Sequence, residues 1–116
     1  MSRPRSVDPD RLVGAAPVFA ALGDATRLRL VAQLCASGPQ SIVQLSAAVP
    51  VTRQAVTKHL HALAAAGLVR SLRRARQRQR SWELEPRRLQ DACRVLEGIS
   101  SQWGGALERL RAFVEV

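Results

Sequence analysis

Between residues 52 and 66 the apolar positions recur at helical spacing. Val56, Leu60 and Leu63 fall within a sector of roughly 60° when successive residues turn by about 100°. The opposite side collects Gln54, Thr57, Lys58 and His61, hydrogen-bonding groups and one cation with no carboxylate among them. Thr52 is a good N-cap, and Gly67 followed by Leu68 is a C-terminal stop with its hydrophobic partner, so the pattern predicts a helix over 52–66. Three helices are predicted before it. Asp8, with Pro9 at the first helical position, opens one over 8–22 that ends at Gly23. Asp24 caps a second over 25–36, stopped by Ser37-Gly38-Pro39. Ser41 caps a short third that runs to about Val49, with Ile42, Leu45 and Val49 turned inward, and Pro50-Val51 make the turn.

Past Gly67 the period changes. Leu68/Arg70/Leu72 and Trp82/Leu84 alternate, predicting strands over 68–73 and 79–84 and a hairpin with a basic tip. Pro86 opens a last helix in which Leu89, Cys93, Leu96, Ser100, Trp103, Leu107, Leu110 and Val114 follow at alternating spacings of four and three. Seven of these eight positions are apolar, a longer seam than one chain of 116 residues can use, which predicts a partner helix from a second copy. Gly98 and Gly104-Gly105 interrupt the seam at about 1 kcal/mol each relative to Ala, so a bend, a break or a close helix crossing is expected there. The fold class is mainly α with a small β-hairpin. A flexible basic tail covers 1–7, a helix-turn-helix with a wing 8–85, and a dimerisation helix of the same domain 86–116.

Charge selects the partner. The net charge is +9 and nearly all of the excess is arginine, 17 Arg against one Lys, which calls for a polyanion. Aromatic residues make up only 3% of the chain, too few for stacking on single strands, so double-stranded DNA is favoured over RNA. An anionic membrane ranks second, and no segment reaches the length of about 18 apolar residues that spans a bilayer. The two cysteines, 58 positions apart, make neither a disulfide framework nor a zinc motif, which suggests a reducing, cytoplasmic setting. With no phosphate-binding glycine loop, paired carboxylates, nucleophile motif or metal constellation, an enzyme is excluded and no cofactor or metal is expected.

Thr52, Arg53, Gln54, Thr57, Lys58 and His61 form the candidate set facing bases and phosphates. Gln can bond bidentately to adenine, Arg to guanine, and a Thr methyl can meet that of thymine. Of the six arginines in 70–80, Arg73, Arg74, Arg76, Arg78 and Arg80 divide between phosphate clamping and minor-groove insertion. Alternate positions face opposite sides of a hairpin, so not all of them reach DNA, and Arg74 and Arg76 are best placed at the tip. His59 lies on the flank of the buried sector, as a partly buried structural residue; two positions from His61, it cannot form a helical metal pair. Cys35, on a stripe with Leu28 and Val31, and Cys93, on the seam, read as small core hydrophobes. Trp82 and Trp103 read as packing residues, and Trp103 can also wall a small-molecule pocket near a dimer axis. The expected function is a sequence-specific DNA-binding transcriptional regulator. Its rivals are a protein-interaction module whose basic face meets an acidic partner, and a sequence-blind architectural DNA binder.

With helices, turn and wing in place, the chain resembles the ArsR-type family of bacterial winged-helix repressors. The likeness is carried by VFAALGDATRLRLV (18–31), TRQAVTKHLHALAAAGLV (52–69) and the wing RRARQRQRSWEL (73–84), while WGGALERL (103–110) is similar to the long-tailed subgroup. The resemblance implies a homodimer built on the first and last helices that binds an imperfect palindrome and is released by a small-molecule or redox inducer. It also offers Cys35 and Cys93 as a redox pair, since some members sense oxidants through two cysteines on these helices. Two departures stand out. The family's Cys-x-Cys metal motif falls on Ile42-Val43-Gln44-Leu45-Ser46, which has no ligand, and the last helix has no His for the other common metal site. At the wing tip Ala75 stands where the family usually has Gly.

Overall fold

The computed structural model describes residues 8–73 and 78–114. Nine elements follow in chain order: α1 (Pro9–Gly14), α2 (Ala16–Leu22), α3 (Ala25–Ser37), β1 (Gln40–Ser41), α4 (Ile42–Ala48), α5 (Arg53–Ala65), β2 (Val69–Leu72), β3 (Ser81–Leu84) and α6 (Pro86–Val114). The strands form an antiparallel sheet in the order β1-β3-β2, with Gln40 opposite Trp82 and Val69 opposite Leu84. Winged helix-turn-helix is thus the architecture, with a three-stranded sheet in place of the expected two-stranded hairpin.

Local chemistry sets most boundaries. Asp24 accepts the Arg27 N–H at 3.0 Å and starts α3, and Thr52 accepts the Ala55 N–H at 3.1 Å and starts α5. Ser41 starts α4 with a full capping box, its hydroxyl taking the Gln44 N–H while the Gln44 side chain takes the Ser41 N–H. At the end of α5, Gly67 turns to φ 76°, Leu68 N–H reaches the Leu63 carbonyl and Gly67 N–H that of Ala64. These two bonds satisfy carbonyls that the helix end would otherwise leave open, and they fold Leu68 into the core.

The core lies where α2, α3, α4 and α5 meet the sheet. Leu30, Leu45, Val56, Leu60 and Leu63 are completely buried, each worth about 1.5–3 kcal/mol in removed apolar surface, and Trp82 of β3 closes the layer. From α6 only the first turns join in, through Ala92 and the partly buried Leu89. The rest of this helix, of 29 residues and roughly 43 Å, runs away from the core.

Several expectations are corrected. The helix expected over 8–22 is two helices meeting at Ala15, because Pro17 has no N–H to give the preceding turn and its ring crowds the carbonyl there. α6 is continuous through Gly98 and Gly104-Gly105: glycine's penalty is small beside the cooperative hydrogen bonding of a long helix, and nothing lies within 4 Å of a Cβ built at Gly104. The inward stripe of α3 is Leu30 and Leu34, which leaves Leu28 half exposed and Cys35 exposed. Cys93 is exposed as well, so neither thiol is a core residue. Leu89 packs, partly buried, against its own chain's core, and Trp103 is 67% exposed.

Candidate nucleic-acid interface

α5 is held by its buried side while its outer side stays open. Arg53, Gln54, Lys58 and His61 are exposed and Thr57 is half-buried, with no acidic residue anywhere in the helix. Two hydroxyls already have local work. Thr52 Oγ1 accepts the capping bond, and Thr57 Oγ1 donates to the Arg53 carbonyl at 2.9 Å, which leaves its methyl and a lone pair for a ligand. His61 joins the helix to the wing through its ring, 5.9 Å from that of Trp82 and tilted by 43°.

His59 is half-buried, as its position on the flank suggested, and the structure adds partners that periodicity could not supply. Its Nδ1 accepts from Arg27 Nε at 3.2 Å, which puts the imidazole proton on Nε2, and it lies 4.0 Å from Asp24 Oδ1. The Asp24 carboxyl is held below its ordinary value of 3.8, first by the Arg27 N–H that caps the helix, with the Thr26 N–H and the Arg27 charge adding to it against partial desolvation. Asp24 thus starts α3, and Arg27 ties that start to the middle of α5.

In the wing, Arg70 is withdrawn from the basic set. It pairs with Glu83 across the β2–β3 ladder and with Glu85 at 3.3 Å, and the Glu83 hydrogen bond raises its pKa above the ordinary value. Arg73, Arg78 and Arg80 are exposed, with no ion pair among the described residues. Arg74, Arg76 and Ala75 lie outside the described residues. The outer side of α5 and the described base of the wing therefore present Arg53, Lys58, Arg73, Arg78 and Arg80, five cations that no described carboxylate neutralises. Five of the six candidates lie on α5 and the sixth, Thr52, is its N-cap, whereas Cys35 and Cys93 sit apart on α3 and α6.

Comparison with known proteins gives this surface its context. A family model described as a helix-turn-helix domain matches residues 22–71. An ArsR-like transcriptional regulator from Rhodococcus sp. RHA1 is 35% identical over 90% of this chain and 95% of its own, with a TM-score of 0.74. The chain belongs to the ArsR-type family of winged helix-turn-helix regulators. A solved structure described as a possible transcriptional regulator for arsenical resistance is also 35% identical, over 80% of this chain and 91% of its own, at a TM-score of 0.59. The transcriptional repressor BigR from Xylella fastidiosa shares the fold at 23% identity, 76% and 85% coverage and a TM-score of 0.61. The search of curated proteins gives no match. This ArsR-type chain is a DNA-binding transcriptional regulator and not an enzyme. The well-known metal sites of the family do not fit it: 42–46 carry no ligand, α6 has no His, and no cluster of three or more His, Cys, Asp or Glu occurs among the described residues. No described helix is long and apolar enough to cross a membrane.

Proposed function

We propose that the chain is a homodimeric, sequence-specific repressor that binds an imperfect palindrome, the α5 of each subunit in a major groove and each wing on the flanking backbone. The acid-free outer side of α5 carries this reading. Gln54, Thr57, Lys58 and His61 combine donors, an acceptor and a methyl group, the vocabulary of base edges, where a mere polyanion grip needs only cations. Thr52, Arg53 and the wing residues Arg73, Arg74, Arg76 and Arg78 supply backbone contacts that fix the register.

Support for the dimer comes from the distal part of α6. Leu96, Trp103, Leu107 and Leu110, joined by Ile99 and Val114, are 40–73% exposed in the single chain, an apolar row that a second α6 would cover. Half-sites about 34 Å apart follow from two-fold symmetry on duplex DNA. Repression follows if the dimer covers a promoter, and BigR, which shares the fold, is itself a repressor. The test pairs two variants on a palindrome from the upstream region of the gene. Gln54→Ala should lose preference over scrambled DNA by about 1–3 kcal/mol per half-site, whereas Arg78→Ala should weaken both duplexes alike and flatten the salt dependence. Equal losses on both duplexes for Gln54→Ala would remove the base-reading role.

A further inference from the structure

The two flanks of the apolar row on α6 differ in kind. Ile99, Ala106 and Phe113 follow one another at seven-residue spacing along one flank, and Glu97, Gly104 and Arg111 do so along the other. The first flank is apolar throughout, with Ile99 40% and Phe113 80% exposed in the single chain. The second starts on an anion, passes a glycine and ends on a cation. Among the described residues Glu97 has no ion pair, while Arg111 meets Glu108 of its own chain at 3.8 Å.

We propose that the distal halves of two α6 helices pair antiparallel, their two-fold axis passing between Trp103 and Leu107. This pairing deepens the dimer proposed above and rests on it. Its extent is set by the fold: Leu89 and Ala92 pack on their own core, so the free row begins at Leu96 and ends at Val114. Matching these two ends fixes the register. Leu96 then lies against the partner's Val114, Ser100 against the partner's Leu110, and Trp103 against the partner's Leu107. Direction follows from the flanks, because the residues beside an apolar seam select the orientation of the partner helix. In an antiparallel pair each flank meets its own counterpart. Glu97 faces the partner's Arg111 on one side, and Ile99 covers the partner's Phe113 on the other. Both centres are small, Gly104 against the partner's Gly104 and Ala106 against the partner's Ala106, which lets the backbones come close. A Cβ at Gly104 would meet nothing within 4 Å of its own chain, and that space takes the indole of the partner's Trp103. A parallel pair would instead set each flank against the opposite one. Ile99 would then meet the partner's Gly104, Arg111 the partner's Ala106, and Glu97 the partner's Ala92, which is buried in its own core. No ion pair would form, and Phe113 would stay uncovered.

The experiment is disulfide trapping in the full chain, with Cys35→Ala and Cys93→Ala so that only introduced thiols react. The chain carrying both Ser100→Cys and Leu110→Cys should become a covalent dimer in a glutathione redox buffer. Each single substitution should not, because antiparallel pairing sets the two copies of either position roughly 15 Å apart along the helices, beyond the Cα separation of about 7 Å that a disulfide spans. A charge exchange reads the same geometry without thiols. Glu97→Arg and Arg111→Glu should each weaken dimerisation about fivefold in sedimentation equilibrium, and the chain carrying both should return to within about twofold of the parent. A covalent dimer from Ser100→Cys or Leu110→Cys alone would show a parallel pair and overturn the proposal. A double-cysteine chain that is dimeric but stays unlinked, or a charge exchange without recovery, would overturn it as well. A parent chain that is monomeric at micromolar concentration refutes the dimer of the proposed function itself, and this pairing falls with it.

Discussion

The His61 ring lies 5.9 Å from the Trp82 indole and tilted by 43°, one ring exposed on the outer side of α5 and the other buried at 5% exposure in the middle strand of the sheet. The two halves of the candidate DNA surface are therefore joined by a direct side-chain contact as well as through the core.

The partners of this contact should respond differently to truncation. Trp82→Ala removes a core residue and should cost about 3–5 kcal/mol. His61→Ala loses only an aromatic contact, about 0.5–1.5 kcal/mol, and should leave a folded protein with weakened DNA binding. Urea unfolding followed by circular dichroism measures both. Comparable losses of stability would mean that His61 is a structural residue first.

Gly67 is required by backbone and by space. Its φ of 76° is disfavoured for any residue with a Cβ, and that Cβ would press on Arg88. Gly67→Ala should cost about 1–2 kcal/mol in urea denaturation. A neutral substitution would show that the turn relaxes freely.

Asp24 gives a pH dependence of known sign. Its folded-state carboxyl is lowered below 3.8, so the stabilisation is fully present above that value and is lost as pH falls through the lower one. Asp24→Asn keeps a capping oxygen but does not titrate. The difference in urea midpoint between parent and Asn variant should be constant well above pH 3.8 and should shrink below it. A difference that widens on acidification would contradict the capping assignment.

The apolar row on α6 should act between chains. Leu96→Glu and Leu107→Glu, at sites 51% and 49% exposed, should convert a dimer to a monomer in sedimentation velocity while helical content is kept. A parent chain that is monomeric at micromolar concentration, unaffected by either change, would refute the dimer.

What was legible in the chain was local. Asp24, Ser41 and Thr52 announce helix starts by their own hydrogen-bonding chemistry, Gly67 announces a stop, and Val56, Leu60 and Leu63 share one buried side because helical geometry demands it. What was missed needed the third dimension. On α3 the apolar residues Leu28, Leu30, Val31, Leu34 and Cys35 allow two adjacent stripes, and only packing against α2 and α5 selects Leu30 and Leu34. On α6 the same ambiguity turned Leu89 inward. β1 is two residues long and leaves no periodic trace, and the withdrawal of Arg70 depends on a register that sets Glu83 opposite it. Pro17 was a missed local signal, since a proline inside a helical pattern already marks a break.

Specific recognition of DNA by α5 and the wing is the central claim, and fluorescence anisotropy measures it most directly. The purified chain is titrated onto its own upstream DNA and onto a scrambled duplex over about 50–300 mM salt. The prediction is a preference of about 1,000-fold or more that survives physiological salt, with log K falling at a slope near −7 for about eight neutralised phosphates per dimer. Equal binding to both duplexes that disappears as salt rises would contradict it, reducing the arginines to a generic grip on polyanions.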